Sequence, residues 1–289
     1  MKRYKDIAGD GGSDIAAQVD AQRERLRARL SPVRFVVAIV SGKGGVGKST
    51  ITAGLAGCFA VSGWRVGVLD ADLNGPTMAK MLGVRGARLQ MAEGGVEPPR
   101  TSLGVKVMSM DLLLASDATP LTWDAPTQDE AHTWRATMEA NALREFLGDT
   151  NWGDLDLLLL DLPPGTDRLA TVTSLVPGLA GTVIVTIPSD VSQLVVRKSI
   201  TVASRARAPV LGLVENMAGV FPGRDVAELA NETGVELLGR VPFDHALAIA
   251  GDQGEEFVVK DAGRDAVKAL HAIASRLRQR LEVGSTRGR

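Results

Sequence analysis

The sequence predicts an α/β fold, a mostly parallel twisted sheet with helices on both faces. Three observations carry that reading. Short runs are apolar at successive positions, stretches with helical spacing separate them, and the first run passes through a glycine-rich loop directly into a helix. A run apolar on both faces is a strand covered on both faces, and strands separated by helices imply right-handed crossovers. A length of 289 residues fits one large domain or two small ones, and 45% hydrophobic with 23% charged is ordinary globular composition.

In chain order, Ile15 to Leu30 reads as a polar helix ahead of the first strand. Strands follow at 35–40 (FVVAIV), 65–69 (RVGVL), 105–109 (VKVMS), 156–160 (DLLLL), 182–187 (TVIVTI), 210–214 (VLGLV) and 236–240 (ELLGR). The spacing predicts helices at 48–62, 76–82, 136–147, 168–176, 191–205, 224–232 and 263–282. The last has Val267, Leu270, Ala274, Leu277 and Leu281 on one stripe without a Trp or Phe, which favours docking on the sheet over anchoring in a membrane. Between 84 and 135 the pattern weakens into Gly, Pro and Thr clusters, read as an elaboration on the sheet. The organisation is therefore an extension over 1–33, one domain over 34–283 and a tail over 284–289.

Charge and cysteine content exclude several functions. Lys+Arg 33 against Asp+Glu 34 gives a net charge of -1, so no overall basic field draws the chain to nucleic acid or to an anionic membrane. One cysteine, Cys58, rules out an intrachain disulfide and a metal site built from two cysteines of one chain. His132, His245 and His271 are dispersed, without ligand spacing. Behind Met1-Lys2-Arg3 there is no apolar core of the about 7–15 residues a secretory signal needs. Phe35 to Val40 and Leu157 to Leu160 fall far short of the ~20 residues of a membrane span. The expectation is a cytoplasmic protein with neither nucleic acid nor membrane as partner.

The most informative segment is Ser41-Gly42-Lys43-Gly44-Gly45-Val46-Gly47-Lys48-Ser49-Thr50, which fits G-x-x-x-x-G-K-[ST] between a strand and a helix. Glycines let the backbone turn its N–H groups onto phosphate oxygens, and the helix that follows aims its positive end at the same anion. Gly42, Gly44, Gly45, Val46 and Gly47 form that cradle. Lys48 would reach the β- and γ-phosphates, Ser49 would ligate Mg²⁺, and Thr50 could donate to an α-phosphate oxygen.

Two more strands end in acidic motifs, Leu69-Asp70-Ala71-Asp72-Leu73-Asn74-Gly75-Pro76 and Leu160-Asp161-Leu162-Pro163-Pro164-Gly165-Thr166. Ligands of open α/β sheets bind outside the carboxyl ends of strands, where all three motifs lie. Asp161 suits the carboxylate that holds Mg²⁺ through water, and Gly165 a hinge that brings a backbone N–H to a γ-phosphate. Asp72 is favoured as the carboxylate that orients or deprotonates the attacking water, with Asp70 nearer the Mg²⁺ shell.

With Lys43 beside Lys48, the loop resembles the deviant P-loop of the MinD/ParA class of ATPases. Asp70-Ala71-Asp72 with Asn74-Gly75-Pro76, Asp161-Leu162-Pro163-Pro164-Gly165-Thr166, Pro188-Ser189-Asp190-Val191 and Val214-Glu215-Asn216-Met217 narrow the resemblance to the Mrp family of iron-sulfur-cluster carrier ATPases, from about Arg34 to Val258. That resemblance implies a P-loop NTPase of the SIMIBI, MinD-like type, working as a homodimer with a client protein. It implies that Lys43 reaches across the dimer to the partner's phosphates, that Asn216 bonds the adenine edge, and that Pro242 and Asp244 border the base. Independently, a second cation at the γ-phosphate would act as an arginine finger does, worth about 10³–10⁵ in rate. An Asn can read adenine with its donor and acceptor, or equally form a turn.

The chain departs from the family where a Cys-x-x-Cys pair usually follows the Val-Glu-Asn-Met segment. Ala218-Gly219-Val220-Phe221-Pro222-Gly223 stands there instead. Cys58, in the helix after the P-loop, reads as a small buried thiol. Thr133-Trp134-Arg135-Ala136-Thr137-Met138 matches the family's Trp-Arg-Gly-Pro-Met segment only in part. The resulting expectation is a Mg²⁺-dependent, ATP-hydrolysing switch, slow without its partner, that assists metallocofactor or enzyme maturation without an iron-sulfur cluster on its own cysteines. Two other classes remain open: a non-catalytic ATP-dependent interaction module, and a positioning ATPase on DNA or membrane.

Overall fold

The computed structural model describes residues 15–114, 131–165, 167–176 and 178–287. Among these, seven strands form one sheet with every neighbouring pair parallel: β1 (Val33–Val40), β2 (Val66–Asp70), β5 (Lys106–Met108), β6 (Leu155–Asp161), β7 (Leu179–Thr186), β8 (Val210–Ala218) and β9 (Leu237–Pro242). Their order across the sheet is β5-β2-β6-β1-β7-β8-β9. The chain moves outward from β1 in one direction through β2 and β5, returns at β6, and then builds the other half through β7, β8 and β9. β1 and β6 therefore lie at the centre, and both are buried along nearly their whole length.

Alternation along β1 divides the core into two layers. Phe35, Val37 and Ile39 face α2 (Lys48–Val61) and α10 (Asp265–Arg287), where Ile51, Leu55, Phe59, Val267, Leu270 and Leu277 complete one layer. Val36, Ala38 and Val40 face the opposite layer. Leu143 and Leu147 of α4 (Ala131–Asp149), Val172 of α5 (Asp167–Leu175), Val196 of α6 (Asp190–Arg205) and Leu229 of α7 (Val226–Thr233) fill it. The whole predicted stripe of α10 is buried in the first layer, so this helix is docked on the sheet. Among the described residues no helix is long and apolar enough to cross a membrane.

Several elements differ from the prediction, each for a local reason. An antiparallel pair, β3 (Gln90–Ala92) and β4 (Gly95–Glu97), lies within the predicted elaboration. Gln90, Met91 and Ala92 are all exposed, so burial imprints no pattern on them. The helix expected at 76–82 contracts to α3 (Met78–Met81). β8 runs on to Ala218, which puts Asn216 and Met217 in the strand. Two short helices, α8 (His245–Gln253) and α9 (Phe257–Lys260), were not predicted; at nine and four residues they are too short for a strong helical period. The amino-terminal helix, α1 (Ile15–Leu30), packs on α4 through Leu26, and Arg29 donates to Gly148 O at 3.1 Å and to Asn151 Oδ1 at 2.5 Å. Residues 1–14, 115–130, Thr166, Pro177 and 288–289, and the side chains of 15, 16, 18, 19, 131–136, 167 and 285–287, lie outside the described part. Portions of the predicted extension, elaboration and tail, with His132 and most of the Trp134 segment, fall there.

Candidate nucleotide site

The site forms where β2, β6 and β1 end side by side. Asp161 is the last residue of β6 and is in register with Ile39 of β1 and with Asp70, the last residue of β2. The loop after β1 begins at buried Ser41 and opens α2 at Lys48. Gly47 takes a φ of 76°, in the left-handed region that glycine tolerates, and a Cβ there would lie 2.2 Å from Asn216 Nδ2. It stands at the N-cap with no side-chain cap, so the first N–H groups of α2 have no side-chain acceptor and their partial positive charge faces the loop. Lys43, Gly44 and Gly45 are exposed, Val46 is buried beneath them, and Ser49 and Thr50 sit half-buried in the first helical turn. Gly42 has no room for a side chain, since its Cβ would fall 2.4 Å from Val195 Cγ1 of α6.

Beneath this loop a knot of polar groups closes on Asp161. Lys48, 7% exposed, places Nζ 2.6 Å from Asp161 Oδ2, and the carboxylate itself is 1% exposed. The Ser49 hydroxyl donates to the same oxygen at 2.7 Å, and Thr52 donates to Oδ1 at 2.6 Å. An ammonium and two hydroxyls converging on one buried carboxylate neutralise its charge and satisfy both of its oxygens. Thr52 was not singled out in the sequence. Its signal was its position, one helical turn after Lys48 on the same face.

Asp70 and Asp72 divide as differently as their burial. Asp70 is fully buried and accepts from the Thr77 and Met78 N–H groups at 2.8 and 2.9 Å, from Ser109 Oγ at 3.0 Å and from the Asp72 N–H at 3.2 Å. Burial, and then the nearby Asp161 charge, push its carboxyl up to about 7, against the pull of those N–H donors. Asp72 is half-buried. Desolvation raises its carboxyl above the ordinary range, while the Gly75 N–H bond at 3.1 Å and the Lys48 ammonium oppose the shift. The carboxylate of Asp72 is therefore the more accessible of the two.

The remaining predicted residues surround the loop. Asn216, buried in β8, donates from Nδ2 to Val46 O at 2.9 Å, which fixes the amide against the glycine-rich turn. The Gly165 N–H donates to Ser41 O at 2.9 Å, so the β6 loop is stitched to the start of the P-loop. Pro242 pairs in register with Ala218. Asp244 caps α8 through the Ala246 N–H at 2.9 Å and meets Arg264 at 3.2 Å, so its carboxylate serves the helix end. In place of a cysteine pair, Ala218–Gly223 offers exposed Val220 and Phe221. Cys58 lies in the core layer under α2, and burial pushes its thiol up to about 12.

The family model ParA, described as "NUBPL iron-transfer P-loop NTPase", matches residues 32–278. This chain belongs to that family. An iron-sulfur cluster carrier protein of Saccharolobus solfataricus is 40% identical to this NUBPL-type NTPase over 275 residues, which cover 91% of this chain and 89% of that protein. A protein of the same name from Methanococcus maripaludis is 36% identical over 92% of this chain and 93% of its own. Among solved structures, a nucleotide-binding protein from Archaeoglobus fulgidus in complex with ADP is 37% identical, with a TM-score of 0.68 over 81% of this chain and 92% of that one. The Pyrococcus furiosus cell division ATPase MinD, 22% identical with a TM-score of 0.62 over 85% and 98%, shares the fold. The NTPase is thus MinD/ParA-like in architecture and Mrp-like in sequence.

Proposed function

We propose that this NTPase binds ATP with Mg²⁺ on the loop from Gly42 to Thr50, hydrolyses it slowly as a homodimer, and uses the cycle to gate a client protein in metallocofactor maturation. The observation that carries the reading is the buried knot of Lys48, Ser49 and Thr52 on Asp161, set under an uncapped helix start. The carrier names of its relatives and the ADP in the Archaeoglobus fulgidus protein support the ligand and the process.

The donor set fits the metal. Ser49 and Asp161 are hard oxygen ligands 2.7 Å apart, suited to hold Mg²⁺ directly or through water, with Asp70, in register beside Asp161, nearer the outer shell of the ion. Mg²⁺, when bound, neutralises charge on the β- and γ-phosphates. Lys48 would then leave Asp161 and extend to those phosphates. Gly42, Gly44, Gly45, Val46 and Gly47 would present the loop backbone, with Thr50 at the α-phosphate. Asp72, desolvated but reachable, would orient the attacking water and take its proton. Gly165 would exchange Ser41 O for a γ-phosphate oxygen, which makes the β6 loop sensitive to the nucleotide state. Exposed Lys43 would act on the partner's γ-phosphate. Asn216 would read adenine with Pro242 and Asp244 bordering the base. An iron-sulfur cluster, as cargo, would have no cysteine pair of this chain to hold it, and Cys58 is buried away as a neutral thiol.

Phosphate release by the purified full chain, with and without Mg²⁺, tests the reading. Mg²⁺-dependent release is expected; none, alone or with candidate clients, would sink it. Lys43→Ala lies on the exposed loop and should keep nucleotide affinity while losing hydrolysis, about 10³-fold if the lysine acts as a finger. An unchanged rate refutes the trans role.

A further inference from the structure

Glu139 lies in the middle of α4 and is 2% exposed, well away from the phosphate loop in sequence. It nevertheless holds both loops that flank the nucleotide site. Oε1 accepts from Asn74 Nδ2 at 2.8 Å, and Asn74 belongs to the turn that Asp72 closes through its bond to the Gly75 N–H. Oε2 pairs with Arg168 in the first turn of α5, three residues beyond Gly165. A carboxylate this deeply buried costs free energy unless it is paired and hydrogen-bonded, and here its partners come from the Asp72 turn on one side and the first turn of α5 on the other. One loop carries the carboxylate that addresses water. The other carries the N–H now held by Ser41 O.

We propose that Glu139 is a positioning residue that couples the two loops, so that movement of the Gly165 loop onto a γ-phosphate is transmitted through Arg168, Glu139 and Asn74 to the Asp72 turn. The inference rests on the ATP-hydrolysis reading above and adds its regulation. Glu139 is assigned no contact with the nucleotide; it acts through Asn74 and Arg168. Its effect falls on the alignment of Asp72 after ATP is bound, and so on kcat rather than on the affinity for ADP, which has no γ-phosphate to pull the Gly165 loop.

The test is a double-mutant cycle on the full chain. Asn74→Ala and Arg168→Ala are made singly and together, in the wild-type background and in Glu139→Gln, which keeps the shape and an acceptor for Asn74 but removes the charge. We expect each single variant and Glu139→Gln to lower kcat by about 2–30-fold, the range of coupling energies through packed networks, with ADP affinity changed less than kcat. The Asn74 and Arg168 effects should be strongly non-additive in the wild-type background and should multiply independently in Glu139→Gln. Independent effects in both backgrounds, or a Glu139→Gln kcat equal to wild type, overturn the coupling while leaving the ATPase intact. If Glu139→Gln fails to fold, the cycle in the wild-type background alone decides, because Asn74 and Arg168 are not fully buried. Absence of phosphate release by the wild-type chain overturns the ATPase reading and this inference together.

Discussion

Lys48 and Asp161 form an ion pair with almost no access to water, and a pair of that kind depends on both members. Removing one leaves the other charged and uncompensated in the interior, at a cost of about 3–5 kcal/mol. Lys48→Met and Asp161→Asn should each lower the unfolding free energy by that order, and the double variant should cost clearly less than the sum of the two. Denaturant titrations of the four proteins measure the difference, and simple additivity would mean that the pair is not held in the nucleotide-free protein. Cys58 is a contrasting case. Its thiol pKa is raised, so the neutral form is favoured in the folded chain and the thiolate is withheld until the pH approaches about 12. At pH 8 Cys58 should resist a thiol reagent in the native protein and react at an ordinary rate once the chain is unfolded; rapid native labelling would place it at an accessible surface. The P-loop residues were legible singly, because their chemistry and spacing are local. Thr52 had a local signal in its place one turn after Lys48, but Glu139 and Arg168 had none, since nothing in the order of residues says that α4 passes beside two loops, 65 residues from Asn74 in sequence.

At the scale of elements, helix α2 joins the site to the core through small residues. Gly54 and Gly57 face α10 and α9, and a Cβ at Gly57 would fall 2.6 Å from Val258 Cγ2, while one at Gly54 would fall 2.8 Å from Leu270 Cδ1. Helix propensity alone favours alanine by about 1 kcal/mol, whereas overpacking costs about 1–3 kcal/mol. Because Val258 and Leu270 are both buried, the steric effect should win. Gly57→Ala should lower the thermal midpoint with its helix content preserved, and a rise in the midpoint would show that the core yields there. Element existence was readable wherever burial stamped a period on the chain, as in β1, β6 and α10. It was unreadable in the exposed β3, in the half-buried three-residue β4 and in the short α8 and α9, where local hydrogen bonds and end caps decide the conformation.

At the scale of the whole molecule, α1 ties the amino-terminal segment to the domain. Its burial pattern is thin, with Leu26 as the buried anchor and Arg29 bridging Gly148, Asn151 and, by a third bond, Gly94 in the turn between β3 and β4. Leu26→Ala should destabilise by about 2–4 kcal/mol, as for other buried leucines, and a loss below 0.5 kcal/mol in denaturant titration would mean that α1 is only loosely held. The sequence by itself determined the fold class, the phosphate-binding loop and the absence of a cysteine pair, because hydrophobic period, glycine-lysine spacing and residue counts are local or additive properties. Only the tertiary structure decided that Asp161 gathers Lys48, Ser49 and Thr52, that Asp70 is absorbed by backbone donors while Asp72 stays reachable, and that Glu139 joins the two loops. Those are distances between segments far apart in the chain, set by strand order and by which face of each helix meets the sheet.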